Sequence, residues 1–215
     1  MTADSKTKQA SAGRTIISVD AMGGDKGPAA VVAGISYSAK INPDIGFILH
    51  GPADKLKPLV ERRKPLVGRV EIRDAQDVVS MEDKPSQVIR NGKTTSMWSA
   101  VDCVRNGEAD VCVSCGNTGA LMMLSVVRLR KIPGVNRPAI AVMWPSSNPQ
   151  NFNIMLDAGA DIRADENDLL QYALMGASYA RNGMELTRPR IGLLNVGTEE
   201  HKGRPELKLA HELIS

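Results

Sequence analysis

Apolar positions along the chain fall into short runs, separated by segments in which they recur every three or four residues. The runs at 15–20 (TIISVD), 45–51 (IGFILHG), 69–75 (RVEIRDA) and 109–114 (ADVCVS) are short and rich in β-branched residues, and they predict buried strands. Pro28 suits the opening turn of a helix, and Val31, Ile35 and Ala39 form an apolar stripe after it. Residues 52–63 read as a second helix or helical turn, and 85–92 as a short helix ending at Asn-Gly. Met97, Ala100, Val101 and Val104 mark another helix, closed by Asn106-Gly107. Residues 116–131 (GNTGALMMLSVVRLRK) read as a loop running into a helix.

The middle of the chain changes character. The apolar runs 139–144 (AIAVMW) and 152–157 (FNIMLD) are joined by PSSNPQN alone. A parallel crossover needs about a dozen residues, so an antiparallel hairpin is expected. Asp165 is placed to cap a helix carrying Leu169, Ala173, Gly176, Ala177 and Ala180. Residues 190–197 (RIGLLNVG) predict a last strand, and Pro205 opens a last helix with Leu207, Ala210 and Ile214 on one face. The alternation predicts an α/β fold: a mostly parallel mixed sheet, helices on both faces, and the antiparallel hairpin. No linker divides 14–215. The last helix reaches Ser215 with no glycine cap or following strand, which suits a fragment better than a fraying natural end.

Composition adds limits. The chain has 215 residues, 42% hydrophobic and 24% charged, an ordinary soluble globular balance. A net charge of +3 is too small to argue for nucleic acid. The clusters Arg62-Arg63-Lys64 and Arg128-Leu129-Arg130-Lys131 read as solvated helix ends. No run of about 18 apolar residues is present to span a membrane. Residues 1–13 are polar and read as a disordered tail, and the chain as cytoplasmic. Cys112 and Cys115 form a lone C-x-x-C with no second ligand pair, and they read as small residues at a strand end. His50, His201 and His211 are scattered and read as structural or solvated.

Four loops after apolar runs share one chemistry: 20–27 (DAMGGDKG), 114–120 (SCGNTGA), 157–161 (DAGAD) and 195–203 (NVGTEEHKG). Glycines bring the backbone close to a ligand and free N–H groups to point at it, and a helix start attracts anions. Walker A, dinucleotide-fingerprint and G-x-S-x-G patterns all fail. These residues describe an enzyme that binds a small anion and has no side-chain nucleophile. Inorganic phosphate, itself a nucleophile, meets that description.

At the same loops, VDAMGGDKGP, KPSQVIR, SCGNTGALM, RPAIA, LDAGA, QYALMG and PRIGLLNVGTEEHKG resemble the PlsX phosphate acyltransferases from about Arg14 onward. Cys115 departs from the alanine usual there. The resemblance implies a fold like that of phosphate acetyltransferases and isocitrate dehydrogenase, and members that continue well past Ser215. It implies transfer of a fatty acyl group from acyl carrier protein to inorganic phosphate, with no cofactor and no metal. The acyl phosphate then serves a membrane glycerol-phosphate acyltransferase. The resemblance also implies a homodimer and peripheral membrane association.

On that resemblance, Gly23, Gly24, Gly116 and the Asn117-Thr118 helix start hold phosphate or the thioester carbonyl. Lys202 supplies charge, with Arg90 assisting, and Asn195 and Ser96 serve as neutral donors. Asp20, Asp25 and Asp157 organise the loops, and Glu199 completes the binding set. The rival readings are an inactive fragment or non-catalytic carrier-protein-binding module, and an acetyltransferase or dehydrogenase relative.

Overall fold

A computed structural model describes residues 13–160, 163–197 and 202–215. Of the tail expected at 1–13, all but Gly13 lies outside the described residues. The chain forms two compact units, one running to Arg130 and the other from Lys131 to Ser215.

In the first unit, β1 (Thr15–Asp20), β2 (Ile45–Gly51), β3 (Val70–Asp74) and β4 (Val111–Ser114) form a parallel sheet in the order β3-β2-β1-β4. Its helices are α1 (Gly27–Ile41), α2 (Ala53–Glu61), α3 (Pro85–Asn91), α4 (Ser96–Arg105) and α5 (Thr118–Leu129). Strand alternation divides the core. Val19, Phe47 and Leu49 pack on Val32, Ile35 and Ala39 of α1 and Leu56 of α2. On the opposite face, Ile48 meets Cys103 of α4 and Ala109. Farther out, Met97, Trp98 and Val101 of α4 join Ala120 and Leu124 of α5, with Val79 and Val88. Each buried Val, Leu, Ile, Phe or Met among them contributes roughly 1.5–3 kcal/mol.

The strand order sets where a ligand can enter. The chain builds outward from β1 through β2 to β3, then returns to place β4 on the other side of β1. The connections after β1 and β4 therefore diverge, and this reversal is where open α/β sheets bind ligands.

Arg69 anchors the opposite end of the sheet, donating to the carbonyls of Ala39, Asn42 and Ile45. The cluster at 128–131 is not simply a solvated helix end. Arg128 reaches Asp102 through Nε (2.6 Å) and Nη2 (2.9 Å) and lies 5.2 Å from the Trp98 ring centre. Trp98 Nε1 donates to the same carboxylate at 2.9 Å, clamping α4 to α5. Arg62, Arg63 and Lys64 are exposed, as expected of solvated residues.

In the second unit, β5 (Val142–Pro145) and β6 (Phe152–Met155) pair antiparallel, as the short connection requires. Helix α6 (Glu166–Met184) opens on a capping box between Asp165 and Asp168, and α7 (Pro205–Ile214) opens on its proline. The strand expected at 190–197 is not formed: those residues have no regular structure, and Leu194 and Val196 are 85% and 84% exposed. Apolar alternation prepares a strand, but only a hydrogen-bonded neighbour makes one, and no described segment pairs with this stretch.

Candidate active site

The first two glycine loops leave the sheet side by side. Asp20, the last residue of β1, is in register with Ser114, the last residue of β4. Asp20 is 2% exposed, and among the described residues no cation pairs with it. Instead, Ser96 Oγ donates to its Oδ1 at 2.6 Å and Ser114 Oγ to its Oδ2 at 2.7 Å, with the Met22 N–H at 3.3 Å. Ser114 Oγ in turn accepts the Gly116 N–H at 3.0 Å. The loops interlock at Gly23. A Cβ there would lie 2.7 Å from Asp20 Oδ2 and 2.8 Å from both the Gly116 nitrogen and Ser114 Oγ. Gly24, at φ +97°, lies against Cys115.

From this corner the chain turns into α5. Asn117 caps the helix through Oδ1, which accepts the Ala120 N–H at 3.0 Å. Its Nδ2 donates to the carbonyls of Ser80 (3.1 Å), Met81 (3.2 Å) and Asp83 (2.9 Å), tying that loop to the helix start. The amides of Thr118 and Gly119 belong to the first turn, which has no intrahelical acceptors for them. Thr118 is exposed.

The structure thus brings together Asp20, Gly23, Gly24, Ser96, Gly116, Asn117 and Thr118. The Ser96 hydroxyl proton is given to Asp20, and the Asn117 amide group is used within the protein. Asp25 is exposed beyond the glycine pair, and Arg90 is exposed in the last turn of α3. The other expected residues belong to the second unit. Asp157 Oδ1 accepts the Ile140 N–H at 2.7 Å, beside the hairpin. Asn195 Oδ1 accepts the Val196 N–H at 2.8 Å, and its side chain lies over Gly203, where a Cβ would come within 2.6 Å of it. Asn195 and Lys202 both line a groove of about 980 Å³ with Ile191, Leu207 and His211. Glu199 lies outside the described residues, as do Asp161 of the third loop and His201.

Two features escaped sequence reasoning. Ser114 closes a predicted strand whose end meets that of β1, and its place in the SCGNTGA loop was the available signal. The second feature is a buried polar cluster one step back along β1. Ser18 Oγ donates to the Ala100 carbonyl (2.8 Å), so it accepts from His50 Nε2 (2.9 Å). His50 Nδ1 is then the acceptor for Ser99 Oγ at 2.7 Å. Burial, followed by the nearby Arg73 charge, pushes the His50 pKa down to about 4. Burial, the Asp20 charge and Cys103 push the Cys112 thiol up to about 12, which keeps it protonated at neutral pH.

The family described as fatty acid synthesis protein matches residues 15–215. The chain is 74% identical to a phosphate acyltransferase of Ruegeria sp. strain TM1040, over all of this chain and 57% of that protein. It is 70% identical to the phosphate acyltransferase of Ruegeria pomeroyi, over all of this chain and 58% of the relative. The chain therefore spans a little over half the length of these relatives. Among solved structures, a phosphotransacetylase from Streptococcus pyogenes superposes with a TM-score of 0.68 at 18% identity, covering 94% of this chain and 64% of the other. That likeness supports the α/β architecture.

Proposed function

Because this chain belongs to the fatty acid synthesis protein family, we propose that it carries the phosphate-handling part of a phosphate acyltransferase. The enzyme moves a fatty acyl group from acyl carrier protein to inorganic phosphate. The observation that supports this is the corner at the β1–β4 switch point. Two glycine loops interlock there, and the first turn of α5 leaves the Thr118 and Gly119 amides open to an anion.

The chemistry needs no side-chain nucleophile. A phosphate oxygen attacks the thioester carbonyl, a C–O bond forms, and the carbonyl oxygen takes up charge. The C–S bond then breaks, and the carrier protein's sulfur leaves as thiolate and takes a proton. Backbone donors serve both the anionic nucleophile and the oxyanion, which differ little in what they ask of a binding site. Lys202 contributes the cationic charge, and Asn195 is a neutral donor. Asp25, Asp157, Arg90 and Glu199 have supporting parts. Among the described residues no helix is long and apolar enough to cross a membrane. We read the product as an acyl phosphate handed to a membrane glycerol-phosphate acyltransferase by a homodimer that associates peripherally with the membrane.

The test mixes acyl carrier protein thioester with the protein, with and without phosphate, and follows release of free carrier protein. Phosphate-dependent release is the expected result. Release only from a short-chain coenzyme A thioester would move the assignment to an acetyltransferase. No release from either donor, by this chain or by a protein of its relatives' full length, would overturn the reading.

A further inference from the structure

We propose that Asp20 is a positioning residue: its carboxylate orients Ser114, Ser114 fixes the Gly116 N–H, and this relay sets the backbone that leads into α5. The relay is read from the geometry, and only its consequence for phosphate rests on the acyl-transfer reading above.

A carboxylate that is 2% exposed and has no cation partner among the described residues is an expensive thing to bury. Among the described residues it is held by hydroxyl and amide protons alone. Carboxylate oxygens only accept, so both serines must turn their single protons toward Asp20. Having given its proton away, Ser114 can only accept, and it accepts from Gly116 at 3.0 Å. The direction of every hydrogen bond from Asp20 to Gly116 is therefore fixed by one charge. The next residue, Asn117, is the α5 cap. Gly23 seals the relay, since no side chain fits between Asp20, Ser114 and Gly116. Direct contact between Asp20 and phosphate is unfavourable, because both are anionic. The carboxylate acts through the loop.

Ser114→Ala removes the link, and Asp20→Asn removes the charge and sets an NH2 donor against one of the two serines that now donate. Two readouts test the relay. The first is hydrogen exchange at the Gly116 amide, referred to core amides of β1 and β2 so that any global loss of stability is subtracted. Exchange should rise roughly tenfold or more in both variants and stay near wild type in Ser114→Thr, which keeps the hydroxyl. The second is the phosphate dependence of acyl transfer. KM for phosphate should rise roughly tenfold in Ser114→Ala, with kcat changed less than about threefold, and Ser114→Thr should restore it.

Unchanged Gly116 exchange in Ser114→Ala would overturn the relay. Raised exchange with an unchanged KM would overturn its positioning role. Equal losses in the alanine and threonine variants would show that the hydroxyl is not the agent. If neither this chain nor a protein of its relatives' full length transfers an acyl group, the functional reading fails, and Gly116 exchange alone decides the relay.

Discussion

Ser18 and Asp20 stand two positions apart on β1 and face the same side of the sheet, where α4 covers them both. Ser18 meets Ala100, and Asp20 meets Ser96, one helical turn nearer the start of α4. Two strand residues advance about 6.6 Å and one helical turn about 5.4 Å, so helix and strand stay in step. The two polar groups nevertheless do different work. Around Ser18 every partner is neutral, and the Ala100 carbonyl, His50 and Ser99 complete one another in a sealed core. Around Asp20 a charge is held by borrowed protons, because Ser96 is the first residue of α4 and the helix covers nothing beyond it. What lies past that point is loop. The strand's carboxyl end, more than the residue type, separates a polar group closed in by its neighbours from one that borders a loop.

The strongest way to break this contrast is Gly23→Ala. The new methyl would sit within 2.8 Å of three polar atoms that define the Asp20 corner, and none of them is the end of a long flexible side chain. Overpacking of this kind costs about 3 kcal/mol. Chemical denaturation should register that loss, and phosphate binding should fall with it. The Ser18–His50 cluster should keep its geometry in a crystal structure of the variant. If Gly23→Ala is as stable as wild type, the loops are not interlocked in the way described.

Acid sharpens the other side. His50 is buried and neutral, with its pKa lowered to about 4, below the ordinary 6.5 it regains on unfolding. The unfolded chain therefore binds an extra proton between those values, and stability falls as pH drops through 6.5 toward 4. Between pH 7 and pH 5 the loss is about 2 kcal/mol from this residue alone. Arg73 opposes protonation, and Glu71 and Glu108 favour it. Urea denaturation at the two pH values measures the drop. In His50→Gln the slope over this window should flatten, because the titrating group is gone. An unchanged slope would move the acid sensitivity elsewhere.

Much of the first unit could be read from the chain, because its signals are local. The β-branched runs at 15–20, 45–51, 69–75 and 109–114 found one another as neighbours and formed strands, and Pro28 and Asn106-Gly107 punctuate helices by their own backbone limits. The short connection was enough to make β5 and β6 antiparallel. What stayed hidden were pairings across the chain. Ser114 is 94 positions from Asp20, and Arg128 is 26 from Asp102, so neither partnership leaves a local trace. The stretch 190–197 shows the converse error: its apolar pattern is a strand's, but a pattern cannot supply the neighbour that completes it. His50 fell within the predicted strand 45–51, and only the packing of α4 could give its partners.

The mildest change expected to divide the two regions is at Asn117. Its Oδ1 caps α5 while its Nδ2 gathers three carbonyls from residues 80–83, so one side chain does two separable jobs. Asn117→Asp keeps an oxygen for the cap and places a carboxylate at a helix start, which the helix dipole favours. It also discards the donors that hold the loop and sets an anion against carbonyl oxygens. Asn117→Ala loses both functions. The cap alone is worth about 1 kcal/mol, so the alanine variant should be destabilised by at least that much. The aspartate variant should keep α5 ordered while the 80–83 loop becomes a site of proteolytic cleavage. Limited proteolysis with mass mapping separates the cases. Cleavage in that loop without loss of α5 would show that the loop is held from the helix cap. Its resistance in both variants would mean that other contacts hold it, and Asn117 would then be only a cap.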